Sequence, residues 1–302
     1  MMKKTTASWR YLFKLPVNTY NNDDPYYELK PLPLSDQKRV VIFAGKNDAS
    51  LRGLGVVYIY LELSKELNAQ NTFANLQRLL NLIYLETGLP TRYSAVRLNK
   101  AKEIKDVLKY FGSLKHNDSK SYSGTAPENN HIFRVKGCVE LMWGLTKKDF
   151  EKFDNALNTF VWASELMEIP NPHLKYTLYM TLFLSSINQL ANNPVFCKGH
   201  PFCSVCKKRV NHQTKSERQA IVDLIKELLT GKNLDQATKM VKRLYSKLRS
   251  AFLHSGFLSG KEKEGGFLAN GITDTAPLME DMMNTLVINR KLLEQFLVKR
   301  QP

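Results

Sequence analysis

The stretch Thr146-Lys-Lys-Asp149-Phe150-Glu-Lys-Phe153-Asp-Asn-Ala156-Leu157-Asn-Thr-Phe160 divides the chain into a mixed part and an all-helical part. Phe150, Phe153, Ala156, Leu157 and Phe160 recur at the helical period, so they form one apolar stripe. Thr146 and Asp149 stand at capping-box spacing ahead of that stripe, which predicts a helix start here. Pro170 and Pro172 predict its end, because proline cannot continue a helix.

Downstream the pattern stays helical. His173–Asn192 predicts a strongly apolar helix, too short and too interrupted by polar residues to span a bilayer. Further helices are predicted over Ser216–Thr230 and Asn233–His254, the latter striped by Leu234, Ala237, Val241, Leu244, Tyr245, Leu248 and Phe252. A Gly-rich loop, Lys261–Thr275, precedes the last predicted helix, Leu278–Lys299.

Upstream the signals are mixed. Trp9–Pro16, Tyr26–Leu29, Arg39–Ala44 and Gly55–Glu62 predict strands. Thr72–Glu86 carries Phe73, Leu76, Leu79, Leu80 and Ile83 at helical spacing, and Ala101–Phe111 predicts a second short helix. Gly112–His131 is polar and aperiodic, the mark of a long loop. Ile132–Leu141 predicts a strand that closes the domain and leaves Cys138 as a buried apolar residue. The fold class expected is therefore α+β: a small N-terminal α/β domain over residues 1–145, then an all-α helical bundle over 146–302 with an insert at about 194–214.

The chain has 302 residues, enough for two domains that each bury a core. Hydrophobic residues make up 43% and charged residues 24%, which excludes the apolar-poor composition of disorder. No signal segment and no spanning run are visible, so the expected location is cytoplasmic, with no membrane partner. The net charge of +16 favours an anionic partner, nucleic acid first. Pro194–Gly256 alone holds 13 Lys and Arg against 4 Asp and Glu, a surplus of 9.

Cys197, Cys203 and Cys206 fall within ten residues, with His200 between them and His212 just after. Cys-x-x-Cys puts two thiolates on one turn, and a third Cys with one His completes a closed tetrahedral Zn²⁺ site of the structural type. Disulfides are the weaker reading, since three clustered thiols leave one over in a reducing compartment. The fourth ligand is His200 or His212; spacing does not decide between them, and His200 is preferred. A closed set leaves no position for water, so this zinc reads as a staple for the crossover loop.

The predicted helix that begins at Asn233 delivers Arg249 and His254 to its C-terminal end, with Gly256 as a suitable stop. Five residues at about 100° each leave the two side chains some 140° apart on a continued helix. They converge where the helix ends near Ser255. The remaining histidines, His116, His131 and His173, read as surface residues.

The local sequence LYSKLRSAFLHSG (Leu244–Gly256), an Arg, four residues and a His on the fourth helix of a C-terminal bundle, resembles the HEPN family, and its Apea-like branch in particular. The resemblance covers about Lys148 to Lys299. It implies a homodimer of helical bundles that brings two Arg/His pairs to one cleft, forming a metal-independent endoribonuclease in a toxin or antiviral defence role. Carried over are Arg249 and His254 as the catalytic pair. His254 would serve as general acid or base near neutral pH, and Arg249 would hold a phosphate and offset developing charge. Attack by the RNA 2′-OH on its own phosphate needs no metal ligand, and DNA would resist it. Ser250, Tyr245 and Lys247 are candidate substrate-positioning groups. One departure stands out: many relatives carry an acidic residue near the end of the second bundle helix, where this chain has Asn188, a hydrogen-bonding group but not a base. The alternative from another class is a non-catalytic RNA-binding or scaffold protein with a structural zinc site.

Overall fold

A computed structural model describes residues 8–17, 26–44, 55–87, 94–98, 104–111, 129–166, 172–191, 217–243 and 276–302. It divides into two compact units, Met1–Leu145 and Thr146–Pro302.

The first unit is built on one antiparallel sheet. Strands β1 (Trp9–Val17), β2 (Tyr26–Leu29), β3 (Gln37–Ala44), β4 (Gly55–Leu63) and β5 (Ser94–Leu98) lie in the order β2-β3-β4-β1-β5. Register follows side-chain alternation: Leu12 faces Tyr60 on one side and Val96 on the other, and Val41 also faces Tyr60. Leu12, Val41 and Tyr60 cluster with Phe43, Tyr58 and Leu98, and helix α2 (Ile104–Phe111) adds Ile104 and Val107 to that cluster. The other face, with Phe13, Ile42, Ile59 and Leu61, is equally buried. A sheet covered on both sides explains why β4 reads as a continuous apolar run and not as an alternating one.

A five-residue π-helical turn, Phe73–Gln77, leads into α1 (Arg78–Thr87). It is tied to the β2–β3 connection by buried polar groups. Gln37 accepts from the Leu32 amide at 2.7 Å and donates to the Asn75 carbonyl at 2.5 Å. Asn75 Oδ1 in turn accepts from the Asp36 amide at 2.8 Å, and Arg78 donates to the Pro33 carbonyl at 3.1 Å. Each of these backbone groups would otherwise be left unpaired away from water.

Two expectations are corrected here. Ile132–Leu141 is not a strand: Asn129–Gly144 is helix α3. Its buried residues Val135, Cys138, Val139 and Met142 follow helical spacing, while Arg134 and Glu140 are exposed. The β-branched valines and the central Gly137 favour a strand locally, and packing against α1 and β2 overrides that preference. Cys138 is buried as expected, and its thiol donates to Glu86 Oε1 at 3.2 Å. The second correction is β5, a five-residue edge strand that the sequence reading passed over. With it the sheet is wholly antiparallel, so this unit is a mixed sheet-and-helix domain without parallel crossovers.

The second unit is helical among its described residues: α4 (Lys147–Glu165), α5 (Pro172–Leu190), α6 (Glu217–Leu228), α7 (Gly231–Arg243) and α8 (Ala276–Lys299). Thr146 caps α4, its hydroxyl accepting from the Asp149 amide at 3.2 Å and donating to Asp149 Oδ2 at 2.8 Å. The five stripe residues Phe150, Phe153, Ala156, Leu157 and Phe160 are all buried. Phe160 and Tyr179 both pack on Phe183, at ring separations of 5.5 and 4.2 Å. α8 contacts each of the other four helices. Among the described residues, no helix is long and apolar enough to cross a membrane.

Candidate functional site

The α6–α7 hairpin places the basic helix. Two residues separate α6 from α7, and Gly231 takes φ +56, a left-handed conformation that reverses the chain there and suits glycine. α7 then buries Ala237, Met240 and Val241 and exposes Lys232, Gln236, Lys239 and Lys242. This amphipathic split follows from the sequence period alone.

Between α7 and α8 lies a cleft of about 290 Å³, lined on the α7 side by Asn233, Gln236, Lys239 and Met240. Asp281, Asn284, Thr285, Val287, Ile288 and Lys291 line it from α8. Lys291 Nζ donates to Asn233 Oδ1 at 3.0 Å, which holds its ammonium at the end of the cleft where α7 begins. The Tyr176 hydroxyl, from α5, donates to Asp281 Oδ2. Thr285 Oγ1 donates to the Asp281 carbonyl at 2.8 Å, inside α8. The cleft therefore combines two cations, one engaged carboxylate, three side-chain amides and an apolar flank.

In the same unit, side-chain hydrogen bonds join α4, α5 and α8. Ser186 Oγ donates to the Ala156 carbonyl at 2.8 Å, Gln189 donates to Thr159 Oγ1 at 3.0 Å, and Asn289 donates to the Phe183 carbonyl at 3.4 Å. Ser186 and Asn289 are fully buried, and these bonds satisfy polar groups that burial would otherwise penalise. Elsewhere in this unit burial lowers the Lys152 pKa from its ordinary value; Asp149 raises it, Lys148 and Arg300 lower it, and Glu227 raises it.

Of the residues singled out from sequence, Asn188 lies within the described part, half-buried on α5 and not in the cleft lining. Tyr245, Lys247, Arg249, Ser250 and His254 lie outside the described residues, as do Cys197, His200, Cys203, Cys206 and His212. Among the described residues, no group of three or more His, Cys, Asp or Glu is arranged to hold a metal ion. Of the charge surplus of 9 over Pro194–Gly256, α6 and α7 hold 6 Lys and Arg against 4 Asp and Glu, so most of the surplus falls outside the described residues too.

The cleft residues were missed by sequence reasoning. Asn233 and Lys291 meet although 58 positions apart, and no single-helix periodicity connects them. No protein-family model, no curated protein and no solved structure matches the chain.

Proposed function

We propose that this chain is an endoribonuclease of the HEPN type, acting as a toxin or antiviral defence effector, with Arg249 and His254 as its catalytic pair. The observation that carries the reading is the course of α7. This helix, in a unit that is helical among its described residues, exposes Lys232, Lys239 and Lys242, and six residues beyond its described end, Arg243, comes Arg249, with His254 five further on.

In this reading His254 takes the proton from the 2′-OH as its oxygen bonds to phosphorus, or gives a proton to the 5′-oxygen as its bond to phosphorus breaks, a role that imidazole suits near neutral pH. Arg249 grips the scissile phosphate through two donors and offsets its growing negative charge. Ser250, Tyr245 and Lys247 position the strand. Two chains meet through their helical units, so that the cleavage site is composite. Cys197, Cys203, Cys206 and His200, or His212 in its place, hold a structural Zn²⁺; three thiolates and an imidazole suit its tetrahedral preference.

One observation favours a second reading, an RNA-binding or scaffold protein without catalysis: Asn188 stands where many proteins of the resembled family carry an acid, and an amide cannot take up a proton at neutral pH.

The test is cleavage of single-stranded RNA in EDTA by wild type, Arg249→Ala and His254→Ala. The expected result is cleavage by wild type and a loss of at least about 100-fold in each variant, with RNA binding retained. A wild-type protein that binds RNA tightly but leaves it intact would refute the nuclease.

A further inference from the structure

We propose that the α7–α8 cleft is an RNA-strand site that holds one nucleotide between two lysine-bound phosphates. The inference rests on the RNA reading above and specifies where the strand lies.

The cleft has cations at both ends. Lys291 is held beside Asn233 at the start of α7, and Lys239 stands six residues further along that helix, an axial distance of about 9 Å. Between them are the amides of Gln236 and Asn284, each offering donors and an acceptor, the pattern that reads base edges of an unpaired strand. Met240, Val287 and Ile288 supply an apolar flank for the base. Asp281 is the one carboxylate among the described lining residues, and the Tyr176 hydroxyl already engages it. An anionic ligand thus meets two ammoniums against a single carboxylate, a net charge of one positive among the described lining residues. At about 290 Å³ the cleft suits one nucleotide better than a folded protein partner, which needs a broad surface.

Chain length ties this cleft to the proposed catalytic pair. Ten residues separate Lys239 from Arg249, a span of at most about 35 Å even when fully extended. A strand of several nucleotides seated in the cleft would be long enough to span that distance. The cleft would set which phosphate of a strand arrives at Arg249.

The experiment measures binding of a fluorescein-labelled, 2′-O-methylated single-stranded oligonucleotide, which lacks the attacking hydroxyl, to the full chain across a salt series. Cleavage of the unmodified strand is followed in parallel. The double variant Lys239→Ala/Lys291→Ala is expected to bind about tenfold or more weakly and to lower the salt slope by about one to two ions. Lys239→Arg should restore the affinity lost in Lys239→Ala, which a merely structural role would not do. Unchanged affinity and salt slope in the double variant, from a wild type that cleaves the unmodified strand, would overturn the cleft while leaving the nuclease reading intact. Loss of binding in the double variant from a wild type that cleaves nothing would support the cleft and refute the nuclease. A wild type that binds no RNA refutes both.

Discussion

Replacing Tyr176 with Phe removes the hydroxyl that donates to the cleft-lining Asp281 and should destabilise the helical unit by about 1.5 kcal/mol. Tyr176 is 2% exposed on α5, and its hydroxyl donates to Asp281 Oδ2 on α8. The substitution keeps the ring and its packing, so no cavity term enters. A hydrogen bond to a charged acceptor contributes about 1.5–3 kcal/mol. Asp281 is only half-buried, so water replaces part of the lost donor and the expected value falls at the lower end. Asp281→Ala and the double variant close a thermodynamic cycle, and a coupling of about 1 kcal/mol is expected. Urea denaturation can be read from one unit alone. The chain has three Trp, and Trp162 is the one in the helical unit, so a Trp9→Phe/Trp143→Phe background reports that unit. The midpoint should fall by about 1 M. Additivity of the two single variants within about 0.3 kcal/mol would refute the link.

Two further outcomes follow from the same helical unit. Burial holds the Lys152 pKa below its ordinary 10.5, so the unfolded chain binds more protons between the lowered value and 10.5, and stability contributed by this group rises with pH through that window. Lys152→Met should be the more stable protein below the window and lose that advantage above it, in melting curves taken across alkaline pH; parallel curves would contradict the shift. For the cysteine cluster, the purified native protein should carry about one zinc per chain and Cys203→Ser markedly less, by elemental analysis, with both melting transitions compared. A native protein without zinc sinks the staple.

Local chemistry made much of the fold legible. The Thr146–Asp149 cap, the stripe from Phe150 to Phe160 and the apolar run of β4 each lie within one element, and each forms as its pattern predicts. Ile132–Leu141 misled because Val and Gly weigh against a helix when counted alone, whereas Val135, Cys138, Val139 and Met142 bury one face only as a helix. β5 escaped notice because a strand of five residues at a sheet edge carries little pattern of its own, and its pairing with β1 decides it.

The proposed site divides in the same way. Sequence by itself determined the Arg249–His254 pair, the Cys197–Cys206 cluster and the basic bias around them, since each is a matter of residue type and spacing along one short stretch. Only tertiary structure decided that Asn233 meets Lys291, that Tyr176 engages Asp281, and that a cleft opens between α7 and α8. The physical reason is that a helix's apolar stripe fixes which side turns inward but not which partner it meets. That choice belongs to packing, and here α8, in contact with every other described helix of its unit, settles it.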